Sequence, residues 1–359
     1  MTTRDRQRAV GSLFCFGLAG LDITPRLERY LQEWGLGGVL LLGGTLERPA
    51  EIWRFTRALR RLAPATPLLI AVDQEGGRVS RLKGRFTHFP PAAAMERVEV
   101  AREVGGAVGR ELAAVGINVD FAPVLDVHSN PANPVIGDRA FGTDPGGVVR
   151  LAMAFAQGLE AEGVLPCGKH FPGHGDTVAD SHHELPLVTH DLGRLRQVEI
   201  APFREAAAQG LAMLMTAHVL YPALDPAWPA TLSSRVLTDL ARRELGFAGL
   251  LVSDDLTMQG ITSRFTVPEA ACRFLQVGGD WVLVACEEGA LEAVLEAVLR
   301  AAETGRIPAE RLAEVAERLT RLRAKAATCP MAGRAEEAEG IVGQERHRLL
   351  AEKIRSAGR

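Results

Sequence analysis

A (β/α)8 barrel of the TIM type, a single domain with a C-terminal helical extension, is the α/β fold this 359-residue sequence predicts. Three observations lead there. Short apolar, β-branched runs recur eight times without polar alternation, as strands buried on both faces do. Longer amphipathic stretches separate them. Polar residues suited to chemistry stand at the C-terminal ends of five of the runs, the end where barrel active sites assemble.

The elements follow in order. Leu13–Leu18 is the first strand. Arg4, Arg6 and Arg8 precede an apolar stretch reaching Leu21, a pattern shared with secretory signals. Asp22 follows at once and no A-x-A site is present, so a strand is expected. A helix over Pro25–Trp34 opens with Thr24 as cap and Pro25 in its first turn. Val39–Leu42 is the second strand and Ala50–Arg61 its helix. Leu68–Val72, the third, ends on Asp73. Helix Val98–Val115 leads to Ile117–Val127, which ends with Asp126 and His128. Helix Gly147–Glu162 leads to Val164–Cys167, followed by Lys169 and His170. Helix Leu192–Gln209 leads to Met213–Thr216, followed by His218. Leu250–Ser253 ends on Asp254 and Asp255, and Trp281–Ala285 precedes helix Glu287–Glu303. A doubly wound sheet would want G-x-G-x-x-G after the first strand, and Gly17-Leu18-Ala19-Gly20 does not supply it.

Barrels of this type run to about 250 residues and can exceed 400. No linker or low-complexity segment divides residues 1–330, which we read as one catalytic domain. After Cys329-Pro330 the composition turns to Ala, Glu and Arg. Ile341, Val342, Leu349, Leu350 and Ile354 recur there at roughly helical spacing, so 331–359 is expected as a helical tail on the barrel or on a partner. A net charge of −3 with no basic tract argues against nucleic acid. Five scattered cysteines without a C-x-x-C pair suit a reduced, cytoplasmic protein. No apolar run approaches the ~18 residues of a membrane span.

The densest chemistry lies in Lys169-His170-Phe171-Pro172-Gly173-His174-Gly175-Asp176-Thr177, followed by Asp180-Ser181-His182. Five of the nine histidines fall between 170 and 190, in a loop punctuated by Gly and Pro. Asp180, two residues from His182, can bond the ring N–H, favour the imidazolium and so make His182 a proton donor and acceptor. Asp254 can be a nucleophile or base while Asp255 turns to bond the loop. Asp73 and Arg78 can grip hydroxyl and amide groups, and Arg139 lies in a loop too polar to be core. His170, His174, Asp176, His182 and His218 also suggest a metal site. Lys169 beside His170 disfavours a cation, and neither H-x-H after the first strand nor H-E-x-x-H is present, so no metal is expected.

The block Lys169–His182 reads K-H-F-P-G-H-G-D-T-x-x-D-S-H. With Asp73–Arg78, Gly137–Gly142, Met215–His218 and Ser253–Met258 in the same order, it resembles the bacterial β-N-acetylhexosaminidases of glycoside hydrolase family 3, the NagZ type. The resemblance covers most of residues 10–290 and implies the same barrel. It implies Asp254 as nucleophile, and His182 supported by Asp180 as general acid and base. It implies Lys169, His170, Arg139, Asp73 and Arg78 as residues holding N-acetylglucosamine. His218 is placed near the site by its strand end. The implied activity is a retaining exo-β-N-acetylglucosaminidase with no cofactor and no obligate protein partner. The implied substrate is N-acetylglucosamine linked to 1,6-anhydro-N-acetylmuramic acid, a muropeptide of cell-wall recycling. A phosphorylase using the same residues, a metal-dependent barrel hydrolase and a silent muropeptide-binding protein are the alternatives.

Overall fold

The computed structural model of the chain describes residues 2–43, 46–63, 67–178, 180–181 and 184–357. Eight parallel strands form the barrel: β1 (Phe14–Leu18), β2 (Gly38–Leu41), β3 (Leu69–Val72), β4 (Val119–Asp120), β5 (Leu165–Phe171), β6 (Met213–Thr216), β7 (Leu250–Ser253) and β8 (Val282–Val284). From β1 to β7 each strand pairs with the next, and β1 also pairs with β8, Phe14 opposite Val282. A parallel bridge between Val252 and Trp281 brings β7 against β8, and the Ser253 N–H donates to the Trp281 carbonyl at 3.0 Å. The ring is thus closed on the side where the ladder is shortest. The strands bury every residue, as sheets covered on both faces do.

All eight expected strands are present. The fourth is regular only over Val119–Asp120, because Pro123 has no N–H to give the ladder. The run nevertheless stays beside β5: the Leu125 N–H donates to the Lys169 carbonyl at 2.7 Å. Thr24 caps its helix through the Leu27 N–H at 3.0 Å, with Pro25 in the first turn. The expected helix Leu192–Gln209 is two, Leu192–Gln197 and Ala201–Ala208, with Pro202 opening the second. A capped helix Thr3–Gly11, which apolar periodicity does not announce, precedes β1. The tail forms two helices, Ala335–Ile341 and Glu345–Ala357, rather than one. They lie against helices Pro49–Leu62 and Val98–Ala114.

At the N-terminal end of the barrel, the buried Asp280 carboxylate receives Arg311 at 2.7 Å, Arg318 at 3.1 Å, Arg242, and the Leu251 N–H at 2.8 Å. This network ties helix Ala309–Ala326 across the base. The opposite end is left for the site.

Candidate active site

Beyond β3 the chain makes a small ribbon, Gln74–Gly76 against Val79–Ser80. In extended chain, residues two apart share a face. Asp73 and Glu75 accordingly both reach Lys169: its Nζ lies 2.7 Å from Asp73 Oδ1 and 2.6 Å from Glu75 Oε1. Glu75 also takes a two-pronged ion pair from Arg139, Nε and Nη2 each at 2.8 Å. Burial alone would raise the Glu75 carboxyl, but Arg139 and Lys169 outweigh it and hold it far below the ordinary glutamate value. The same carboxylates hold Lys169 above its ordinary value against the opposing effect of burial. Sequence reading passed over Glu75; the D-x-E spacing in an extended segment is the signal that marks it.

Lys169 and His170 are consecutive, yet both serve this cluster. The ladder between β5 and β6 is irregular between Gly168 and Phe171, and such a bulge re-aims side chains that would otherwise alternate. His170 donates from Nδ1 to Asp126 Oδ2 at 2.7 Å, and its Nε2 lies 3.5 Å from Arg139 Nη2. Asp126 also accepts the His174 N–H at 2.6 Å. Burial works against the Asp126 anion, but His170 and His174 keep its carboxyl below the usual range. Asp126, expected only as a strand-end acid, is the hub of the histidine loop. Beneath the ribbon, Asp120 accepts the Gln74 N–H at 2.9 Å, and burial pushes its own carboxyl well up.

Asp254 follows β7. Its Oδ1 accepts the Asp255 N–H at 2.8 Å; among the described residues nothing bonds Oδ2. Burial would raise this carboxyl, but His218, His170, the Asp255 N–H and Lys169 together lower it, so it is ionised at neutral pH. Asp255 turns away and bonds the loop, accepting from Thr257 Oγ1 at 2.6 Å and from the Thr257 and Ala285 N–H groups at 3.0 Å. His218 donates from Nε2 to the Asp255 carbonyl at 2.9 Å, and its Nδ1 lies 2.9 Å from Thr231 Oγ1, whose hydroxyl donates to the Ala217 carbonyl. Burial lowers its pKa against the opposing pull of Asp254 and Asp255, and the ring braces the acidic turn.

Arg78 sits half exposed at the rim. Its guanidinium holds the 133–139 loop through the Val135 and Ile136 carbonyls, the latter at 3.2 Å, and pairs with Asp138 at 3.3 Å. Asn133, which sequence reading did not single out, joins that loop to the histidine loop. Its Nδ2 donates to the His174 carbonyl at 2.9 Å and its Oδ1 accepts the Ile136 N–H at 2.7 Å. Burial and neighbouring His170 push the His174 imidazole down to about 4, and it bonds Thr177 and Ser181 as a neutral ring. Buried Ser181 in turn accepts the Gly260 N–H at its carbonyl, 2.9 Å away. The histidine loop is thereby anchored at 174–177 and again at Ser181, beside the turn that carries Asp254. Asp180 lies between these anchors, and its carbonyl accepts the Glu184 N–H at 3.1 Å. His182 lies outside the described residues. Among the described residues, no three His, Cys, Asp or Glu side chains are placed to hold a metal ion.

One prediction follows from Glu75. Unfolded, its carboxyl takes up a proton near the ordinary glutamate value of about 4.3; folded, it resists doing so until far lower pH. Its stabilisation is therefore full above that value and is lost as pH falls. Glu75→Gln should flatten the fall of unfolding free energy between about pH 5 and 3. It should also cost about 3–5 kcal/mol at pH 7, because Lys169 and Arg139 lose their shared counter-charge. Urea unfolding across pH measures both; an unchanged slope refutes the assignment.

Comparison with known proteins agrees with this geometry. Residues 16–322 match the model of the "Glycosyl hydrolase family 3 N terminal domain". A β-hexosaminidase of Nitrosomonas eutropha is 40% identical over 276 residues, covering 74% of this chain and 78% of its own. Beta-hexosaminidase A of Pseudoalteromonas piscicida is 37% identical over 332 residues, 84% of this chain; the match spans only 56% of that longer protein. The solved structure of a family 3 β-N-acetylglucosaminidase from Paenibacillus sp. superposes with a TM-score of 0.91 at 39% identity, over 97% of this chain and 68% of that one. Strand order, the acids and cations at the strand ends, and these matches over most of the chain lead to one conclusion: the protein belongs to glycosyl hydrolase family 3.

Proposed function

We propose that the protein is a retaining exo-β-N-acetylglucosaminidase that releases terminal β-linked N-acetylglucosamine through a covalent glycosyl–enzyme intermediate. The observation that carries this reading is Asp254: an ionised carboxylate at a strand end, one oxygen fixed by a backbone N–H, at the same barrel end as two buried cations. Its role is attack on the anomeric carbon. His182, turned and charged by Asp180, protonates the departing oxygen and later takes a proton from water. Retaining glycosidases usually use two carboxylates about 5–5.5 Å apart; here an Asp–His pair replaces one of them. Lys169, Arg139, His170, Asp73 and Arg78 hold the sugar, directly or by fixing the loops around it. Four carboxylates (Asp73, Glu75, Asp126, Asp254) outnumber the permanent cations Lys169 and Arg139, a balance that favours a transition state with oxocarbenium character.

The similar proteins named as β-hexosaminidases and a β-N-acetylglucosaminidase support the substrate class. We further propose a muropeptide, N-acetylglucosamine on 1,6-anhydro-N-acetylmuramic acid, as natural substrate, in the cytoplasm during cell-wall recycling. Five unpaired cysteines suit a reducing compartment, and no helix among the described residues is long and apolar enough to cross a membrane. Residues 1–330 form the catalytic unit in this reading and 331–359 its helical extension.

Release of 4-nitrophenol from 4-nitrophenyl N-acetyl-β-glucosaminide tests the proposal, run with EDTA, with and without phosphate, with the sugar product identified. Free N-acetylglucosamine in both buffers is the expected result. N-acetylglucosamine 1-phosphate in the phosphate buffer would make the enzyme a phosphorylase. Activity lost to EDTA and restored by zinc would make it a metal-dependent hydrolase. Binding without turnover would make it a muropeptide-binding protein.

A further inference from the structure

Glu111 is buried in helix Val98–Ala114, and among the described residues its hydrogen bonds go to none of those assigned to the reaction. Its carboxylate gathers four donors from two distant parts of the chain. Thr87 gives its N–H at 2.9 Å and its hydroxyl at 2.6 Å. From the tail come the Gly343 N–H at 3.0 Å and His347 Nδ1 at 2.8 Å, with His347 buried as well. Nothing in the glycosidase chemistry asks for a carboxylate at this point.

The two groups of donors lead to the sugar site. Thr87 belongs to a segment on which the site ribbon rests. The Phe89 carbonyl accepts the Gly77 N–H at 2.9 Å. Gly76 and Gly77 have φ of +97° and +55°, a region where glycine alone is unstrained. A Cβ on Gly76 would stand 2.8 Å from the Pro90 carbonyl oxygen, and one on Gly77 2.7 Å from Pro91 Cβ. The ribbon turn therefore sits directly on residues 89–91, and Glu75, which holds both Lys169 and Arg139, is the residue before it. The tail bears on the other end of the same segment. Gly343 approaches the Arg85 carbonyl so closely that a Cβ would come within 2.0 Å of its oxygen, and Arg355 donates to the His88 carbonyl.

We propose that Glu111 is a positioning residue for the sugar site, and that the two tail helices, tied to it through Gly343 and His347, brace the ribbon that carries Glu75 and directly follows Asp73. The proposal rests on the glycosidase reading above. Close-packed interiors pass a displacement on rather than absorbing it, and a binding constellation tolerates errors of only about 0.5 Å. Glu111→Gln keeps the size of the side chain but turns an amide NH2 toward groups that are themselves donors. The segment 85–91 must then shift, and the ribbon with it.

The test uses the full chain: Glu111→Gln, Thr87→Val, His347→Ala and His347→Gln, with exposed Leu349→Ser as control. Each is checked by circular dichroism and melting. Then kcat and KM are measured on 4-nitrophenyl N-acetyl-β-glucosaminide, and the Kd of N-acetylglucosamine by calorimetry. Loss of uniform sugar binding raises KM and Kd together, by about tenfold, with kcat held within about twofold. His347→Gln, whose amide can still donate to Glu111, should lie closer to wild type than His347→Ala. Variants that melt earlier yet keep wild-type KM and Kd would show that the brace serves stability alone and overturn the proposal. Thr87→Val, which removes one hydroxyl, decides the matter if Glu111→Gln fails to fold. A wild-type protein that binds the sugar but releases no nitrophenol would refute the glycosidase reading, while the Kd series still judges the brace. A wild-type protein that binds no sugar overturns both.

Discussion

Asp254→Gly abolishes turnover of N-acetyl-β-glucosaminides, lowering kcat on the order of 10³-fold or more, in a protein that still folds. The expectation rests on the charge and placement of this carboxylate. It remains anionic despite burial because His218, His170 and the Asp255 N–H favour the charged form. An anion poised in this way gains most in a transition state that develops positive charge at the anomeric carbon. The glycine leaves a space where azide can stand in for the lost nucleophile. With a 4-nitrophenyl substrate, whose leaving group departs readily, azide should restore release of nitrophenol and give the α-glycosyl azide, inverted relative to substrate. Nuclear magnetic resonance of the product reads the anomer directly. A β-azide, or a variant retaining a tenth of wild-type kcat, would remove Asp254 from the nucleophile's place.

How much of this was legible in the sequence differs between kinds of residue. Strand positions were readable because burial on both faces demands uninterrupted apolar, β-branched runs, and six of the eight lie within a residue of the expected bounds at each end, while the fifth runs on through Lys169 and His170 to Phe171, polar residues that an apolar pattern leaves out. The fourth extends too far because a pattern of apolarity does not register a ladder interrupted at Pro123. Asp73, Lys169, His170 and Asp254 could be gathered in advance, since parallel strands bring their C-terminal ends to one face. Glu75, Asp126 and Asn133 could not be ranked so easily. Their importance comes from partners 64, 44 and 41 positions away, and only the closed barrel brings those partners into contact. Arg78 shows the converse. Its spacing after two glycines suggests a hand extended to substrate, whereas its hydrogen bonds are made to the 133–139 loop. The turn Gly343 that divides the tail in two escapes apolar periodicity because both helices pack on the same barrel helix, Val98–Ala114.

His182→Ala gives a different result from Asp254→Gly, and the contrast between them tests the division of labour. A 4-nitrophenolate leaves without a proton, so the first step survives and kcat/KM on that substrate falls little. The second step then lacks its base: kcat falls, the glycosyl–enzyme accumulates and KM falls with it. A disaccharide must have its leaving oxygen protonated, and there kcat/KM should drop by about 10²–10⁴-fold. Azide should again accelerate the 4-nitrophenyl reaction, now by attacking the glycosyl–enzyme without needing a base, and the product should be the β-azide. Opposite anomers from the two variants are expected only if one residue carries the sugar and the other moves the proton. Asp180→Asn refines the test. A carboxylate beside the imidazole favours its protonated form, so its loss lowers the histidine pKa and moves the basic limb of the kcat/KM profile to lower pH. The acidic limb, set by a carboxylate already held low, should stay where it is. Equal and mild losses at Asp254 and His182, with the same dependence on leaving group, would mean that neither residue has the role given to it here.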